Sequence, residues 1–114
     1  DMLPKRFRLK DASLFQKAFR SGKPSFVGDI SCKAVFLGDG LTRVGFAVPK
    51  KLFPKAVDRN AVKRMIADSV RTSYEVIPGG WHIVFFLRKK TKLDRLEVNR
   101  SISEIIRKIR EIKT

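Results

Sequence analysis

The chain has 114 residues, 43% of them hydrophobic, which is one domain's length with enough apolar mass for a core, and this excludes disorder as the default. Its 26 Lys and Arg against 11 Asp and Glu give a formal charge of +15, a self-repulsion that a polyanion normally offsets, with nucleic acid the leading partner and an anionic membrane surface second. One Cys and one His exclude an internal disulfide and a structural zinc site, and no apolar run nears the ~20 residues of a membrane span, so the expectation is a reduced, cytoplasmic protein with no signal peptide, no membrane partner and no structural metal.

Residues 1–8 form a basic tail, expected to be loose until bound, ahead of a single domain over 9–114. KDASLFQKAFRSG reads as a first helix, capped by Asp11 or Ser13 and stopped at Gly22, with Ala12, Phe15 and Phe19 at helical spacing. Two β-rich runs, roughly 27–37 and 42–48, flank GDG, which signals a hairpin, with room for one extra strand break between 27 and 48. Val44, Phe46 and Val48 alternate with Arg43, Gly45 and Ala47, as a sheet with one well-packed face would. Pro49 ends that strand, and KKLFPKAVD is a basic loop.

A second helix follows, with Asp58 as the expected N-cap. Val62, Met65, Ile66, Ser69, Val70 and Ser73 fall on one side of it; Arg59, Asn60, Lys63, Arg64, Ala67 and Arg71 span about 140° of the other at ~100° per residue. IPGG is a turn, and WHIVFFLR is too apolar to be half-exposed, so it reads as a central strand. KKTKLD is a basic connection. Over 94–112, Val98, Ile102, Ile105, Ile106, Ile109 and Ile112 draw an apolar stripe down a long helix, with Arg100, Arg107, Lys108 and Arg110 outside it. The sum is an α+β sandwich with helices against a small sheet.

The start of the second helix carries the chemistry. Arg59 and Lys63 have no acidic neighbour at helical spacing, whereas Asp68 is within reach of Arg64 and Arg71. Positive charge at a helix N-terminus opposes the macrodipole, a cost that a bound anion reverses. Lys50, Lys51 and Lys55 lie just upstream, so loop and helix form one cationic mouth for a polyanion rather than a merely solvated face. Arg supplies a planar fork for phosphate, Lys a point charge. Asn60 is suited either to reading a base edge or ribose hydroxyl, or to fixing the turn. Nothing points to protein-based catalysis: His82 sits in an apolar run, Cys32 reads as a small buried hydrophobe, and the carboxylates are scattered without a two-metal cluster.

RVGFAVPKK followed by KAVDRNAVKRMI resembles the protein subunit of bacterial ribonuclease P, as do RLKDASLFQKAFRSGK and GGWHIVFFLRKK, and the resemblance covers about residues 5–112. Lys55, Ala56, Val57, Arg59, Asn60, Lys63 and Arg64 match its central motif; Ala61 stands where that pattern usually has a second Arg. The resemblance implies the order α-β-β-β-α-β-α, a small mixed sheet in a single-domain two-layer sandwich, and a left-handed βαβ crossover. Unaided, the about 98% preference for right-handed crossovers would have set the opposite hand. It implies a non-catalytic protein cofactor of a ribonucleoprotein endonuclease: the RNA subunit holds Mg2+ and hydrolyses a phosphodiester to release the 5′ leader of precursor tRNA. The basic mouth, Lys50, Lys51, Lys55, Arg59, Asn60, Lys63 and Arg64, would face the catalytic RNA. A cleft between sheet and first helix would hold the single-stranded leader. Phe15 matches its aromatic, with core packing as the equal alternative, and Phe19 is read as core. Lys33 stands near where the family tends to show an aromatic, and Arg8, with Arg6 and Phe7, is a further candidate contact. The protein is expected to be monomeric alone. The competing readings are a stand-alone RNA-binding or ribosome-associated protein, which charge and fold class fit equally, and a protein nuclease.

Overall fold

The computed structural model describes residues 3–38, 40–90 and 93–112. In chain order these form α1 (Ala12–Ser21), β1 (Lys23–Val27), β2 (Ile30–Phe36), β3 (Arg43–Ala47), α2 (Ala56–Ser73), β4 (Trp81–Leu87) and α3 (Arg95–Arg110), with single turns of 3-10 helix at Lys5–Phe7 and Tyr74–Val76. The Asp11 carboxylate accepts from the Leu14 N–H at 3.1 Å and so caps α1; Asp94 caps α3 through the Leu96 N–H at 3.4 Å. Asp58 does not cap α2. That helix starts two residues before it, behind Lys55, and Asp58 sits in the first turn, where its charge favours the dipole.

The four strands are ordered β1-β2-β4-β3. β4 lies antiparallel to β2, with Ile30 opposite Leu87 and Phe36 opposite Trp81, and parallel to β3, to which α2 connects it. The hairpin expected across GDG therefore does not form. β4 is apolar on both faces and takes the central slot, separating β2 from β3. The chain after β2 instead turns to the entrance of β4, where the Leu37 and Gly38 N–H groups donate to the Gly80 carbonyl at 2.8 and 3.0 Å. The true hairpin joins β1 to β2 through Gly28 and Asp29, with Val27 opposite Ile30 and Gly28 at a φ of 62° that favours glycine.

α2 and α3 pack on one face of the sheet. Ile30, Cys32, Ala34, Val44, Ile83, Phe85 and Leu87 meet Ile66 and Val70 of α2 and the stripe Val98, Ile102, Ile105, Ile106 and Ile109 of α3. α1 lies on the other face, over β2 and β4, where Ala18 and Leu9 are buried against Val84, with Leu14, Phe15, Val35 and Ala47 packed around them. Gly45 is accordingly buried rather than solvent-facing, and a Cβ there would stand 2.8 Å from the Phe15 ring. Ala67, expected on the outer face of α2, is fully buried.

The N-terminal segment is docked from Leu3 onward rather than loose; Asp1 and Met2 lie outside the described residues. Leu3 is fully buried, Phe7 stacks on Tyr74 at 4.0 Å between ring centroids, and the Leu9 N–H donates to the Val44 carbonyl at 2.9 Å. That pairing covers the outer edge of β3, which would otherwise present unpaired backbone groups.

Candidate nucleic-acid interface

The loop from Pro49 to Lys55 is held at both ends. The Leu52 and Phe53 N–H groups donate to the Pro49 carbonyl at 3.1 and 3.0 Å, and the Phe53 side chain is buried. Arg59 closes the other side: its Nη1 donates to the carbonyls of Phe53 at 2.9 Å and Pro54 at 2.8 Å. The guanidinium thus braces the loop on the first turn of α2. Lys50, Lys51, Lys55, Asn60 and Arg64 are exposed, and Lys63 is half-buried. Among the described residues, none of Lys50, Lys51, Lys55, Lys63 or Arg64 makes an ion pair. Asp68 stands 3.9 Å from Arg71 and 3.5 Å from Arg95, not paired to Arg64. The Asn60 side chain makes no hydrogen bond to described residues, so it does not fix the turn. Ala61 is exposed.

A second set of cations lies at the same end of the sheet. β3 and β4 run parallel, so their carboxyl ends open on the same side of the sheet, the usual place for a site in such an arrangement. Arg88, Lys89 and Lys90 leave β4 there. Lys90 Nζ lies 5.9 Å from the Phe53 ring centroid, and Lys89 is 3.4 Å from an Asp29 carboxylate oxygen. In the sequence Arg88 closes the apolar run and Lys89 and Lys90 read only as a basic connection; the parallel pairing that sets the ends of β3 and β4 side by side has no local signal.

The cleft lies where α1 crosses the sheet. Phe19 packs edge-on against Phe86 at 5.2 Å and 6.5 Å from Phe15, and Lys33 Nζ sits 5.9 Å from the Phe19 centroid. Phe19, expected in the core, is 37% exposed and forms the open lip. Phe15 is half-buried against Gly45, so it belongs both to the small core under α1 and to the cleft wall. Phe86 has no signal of its own in the sequence, because its strand reads as wholly apolar, yet the two-residue period of β4 turns it away from the main core. Arg8 is not brought to this group. Its Nε donates to the Leu3 carbonyl at 2.6 Å, and it lines a separate cationic recess with Lys5, Arg6, Lys10 and Arg43.

The nucleophile-bearing residues lie elsewhere. Cys32 is fully buried, and burial pushes its thiol up to about 12, which leaves it protonated and unreactive at neutral pH. His82 is buried within β4. Among the described residues no three His, Cys, Asp or Glu side chains converge, and no helix is long and apolar enough to cross a membrane.

The family model for Ribonuclease P matches residues 3–110. The chain belongs to the ribonuclease P protein family. The ribonuclease P protein component of Clostridium kluyveri is 31% identical over 106 residues, 90% of this chain and 93% of that protein. That of Roseiflexus sp. is 34% identical over 86 residues, 75% of this chain and 70% of its own. The RNase P protein from Thermotoga maritima superposes with a TM-score of 0.78 at 28% identity, covering 94% of this chain and 98% of that one. As a ribonuclease P protein the chain is the non-catalytic subunit of an endoribonuclease whose catalysis resides in RNA, and it partners the ribonuclease P RNA and precursor tRNA. This reading stands over that of a stand-alone RNA-binding protein.

Proposed function

We propose that the two surfaces divide the labour of 5′ maturation. The cationic mouth of Lys50, Lys51, Lys55, Lys63 and Arg64, shaped by Arg59, seats the phosphates of the catalytic RNA. The cleft of Phe15, Phe19, Phe86 and Lys33 holds the single-stranded 5′ leader of precursor tRNA. The observation that carries this is the joint presence, around one end of a sheet, of several cations without carboxylate partners and an open aromatic cleft. Single strands are held by such pairings of cationic groove and stacking platform. Asn60, exposed beside the mouth, reads a base edge or ribose hydroxyl.

Neutralised phosphates lower the repulsion between two RNAs, so less divalent cation is needed to bring them together. Mg2+, held by the RNA, supplies the charge stabilisation for phosphodiester hydrolysis. The donor set of this chain does not fit Mg2+, which takes several oxygen ligands; the exposed charges at the mouth are ammonium and guanidinium, with Asp58 the one carboxylate between Lys50 and Arg64. In this reading the protein acts in the cytoplasm and enters the assembly as a monomer. Adding it to a ribonuclease P RNA at low magnesium should raise 5′ cleavage of precursor tRNA severalfold. The Lys63→Ala, Arg64→Ala double variant should need more magnesium for the same rate. No gain from the wild-type protein would dispose of the proposal.

A further inference from the structure

The face of the sheet that bears α1 is not fully used by it. α1 packs over β2 and β4 and leaves β1 uncovered. Directly paired residues of neighbouring strands share a face, so one row of side chains runs Ala47, Phe86, Ser31, Phe26 from β3 out to β1. Phe86, beside Phe19, floors the cleft at the inner part of that row. Phe26, at the outer end, is 56% exposed, an unusual place for a large aromatic on an edge strand. Arg88 lies over one face of the Phe26 ring, its guanidinium carbon 4.9 Å from the centroid. One strand, β2, lies between Phe26 and Phe86, which puts them two strand spacings or about 10 Å apart, and Ser31 between them is small and buried.

We infer that Phe26 and Arg88 form a second, outer stacking platform for the 5′ leader, continuing the path that begins at Phe15 and Phe19. One face of the Phe26 ring is taken by the guanidinium. The other accepts a base, as any base has a π-face to offer. Arg88 then serves twice: it fixes the ring through a cation–π contact and turns its outer N–H groups toward the leader phosphate. Ser31, small and covered by its neighbours, adds no bulk of its own between the two platforms. Single-stranded RNA is the occupant that this surface fits, because the face that carries the exposed ring also carries the cations Arg88 and Lys33, and a protein or lipid partner would leave them unmatched.

This inference rests on the leader cleft proposed above, and the experiment separates the two. Holoenzyme is reconstituted with the ribonuclease P RNA, and its affinity is measured for precursor tRNAs whose leaders are trimmed stepwise from the 5′ end. Phe26→Ala should weaken binding of long leaders about fivefold or more, the lower end for one stacked base. It should leave short leaders unchanged, and wild type should lose the same factor when the leader becomes too short to reach. Phe19→Ala should weaken long and short leaders alike, and Phe26→Tyr should retain wild-type affinity. If Phe26→Ala binds every length as wild type does while Phe19→Ala loses affinity, the outer platform is wrong and the cleft stands. If neither variant shows leader dependence, both fall. A loss from Phe26→Ala that is the same with and without a leader also overturns the inference, since it would place Phe26 against another RNA surface.

Discussion

Arg59 has two roles in the proposed interface. Its guanidinium holds the carbonyls of Phe53 and Pro54, which sets the loop that presents Lys50, Lys51 and Lys55, and it keeps its charge. Arg59→Ala should therefore cost about 1–2 kcal/mol of stability, since two hydrogen bonds from a charged donor are lost at a half-exposed site, and should also weaken binding of the ribonuclease P RNA. Lys63→Ala with Arg64→Ala should stay within about 0.5 kcal/mol of wild type. The log–log salt slope of RNA binding should nevertheless fall by ~0.7–0.9 for each phosphate contact removed. Urea unfolding and salt titration together check both; an Arg59→Ala protein as stable as wild type would refute the bracing role. The sequence displays Arg59 as a cation lacking a carboxylate four residues away. Its partners are backbone carbonyls in the preceding loop, and a charge pattern carries no trace of them.

At the level of elements, the approach of α1 to the sheet depends on Gly45. A Cβ at this position would stand 2.8 Å from the Phe15 ring, well inside contact distance. Gly45→Ala should push α1 away, cost about 1–3 kcal/mol as overpacked sites do, and reduce the affinity advantage of leader-bearing over mature tRNA. Assembly with the catalytic RNA should be unaffected, because α2 lies on the opposite face of the sheet. Full stability and full leader preference in that variant would show that Phe15 is not clamped. Helices α1 and α3 and strand β4 were legible in the sequence, because a 3.6-residue stripe and a long apolar run are dictated by the burial they require. The pairing of strands was not. GDG is a turn signal, but a turn signal reports only that the chain reverses. Which strand it meets afterwards depended on β4, more than thirty residues further on, outcompeting β3 for the inner edge of β2. The aromatic cleft was half legible for the same reason: Phe15 and Phe19 share a helix face by period, but Phe86 joins them through tertiary packing alone.

For the whole molecule, a charge of +15 on 114 residues works against the compact state, and few carboxylates lie where they would relieve it. Added monovalent salt should raise the melting temperature of the free protein by screening that repulsion, while weakening its hold on RNA through the counterion effect. A melting temperature that falls with salt would show that the exposed cations are not under strain. The order of the sheet bears on biosynthesis as well. β2 and β3 hydrogen-bond to β4 and not to each other, so a nascent chain that has not yet emerged to Leu87 has a gap where its middle strand belongs. Vectorial synthesis delivers the basic helix before the strand that completes the sheet, and the cationic mouth acquires its final shape only once the C-terminal part of the polypeptide has left the ribosome.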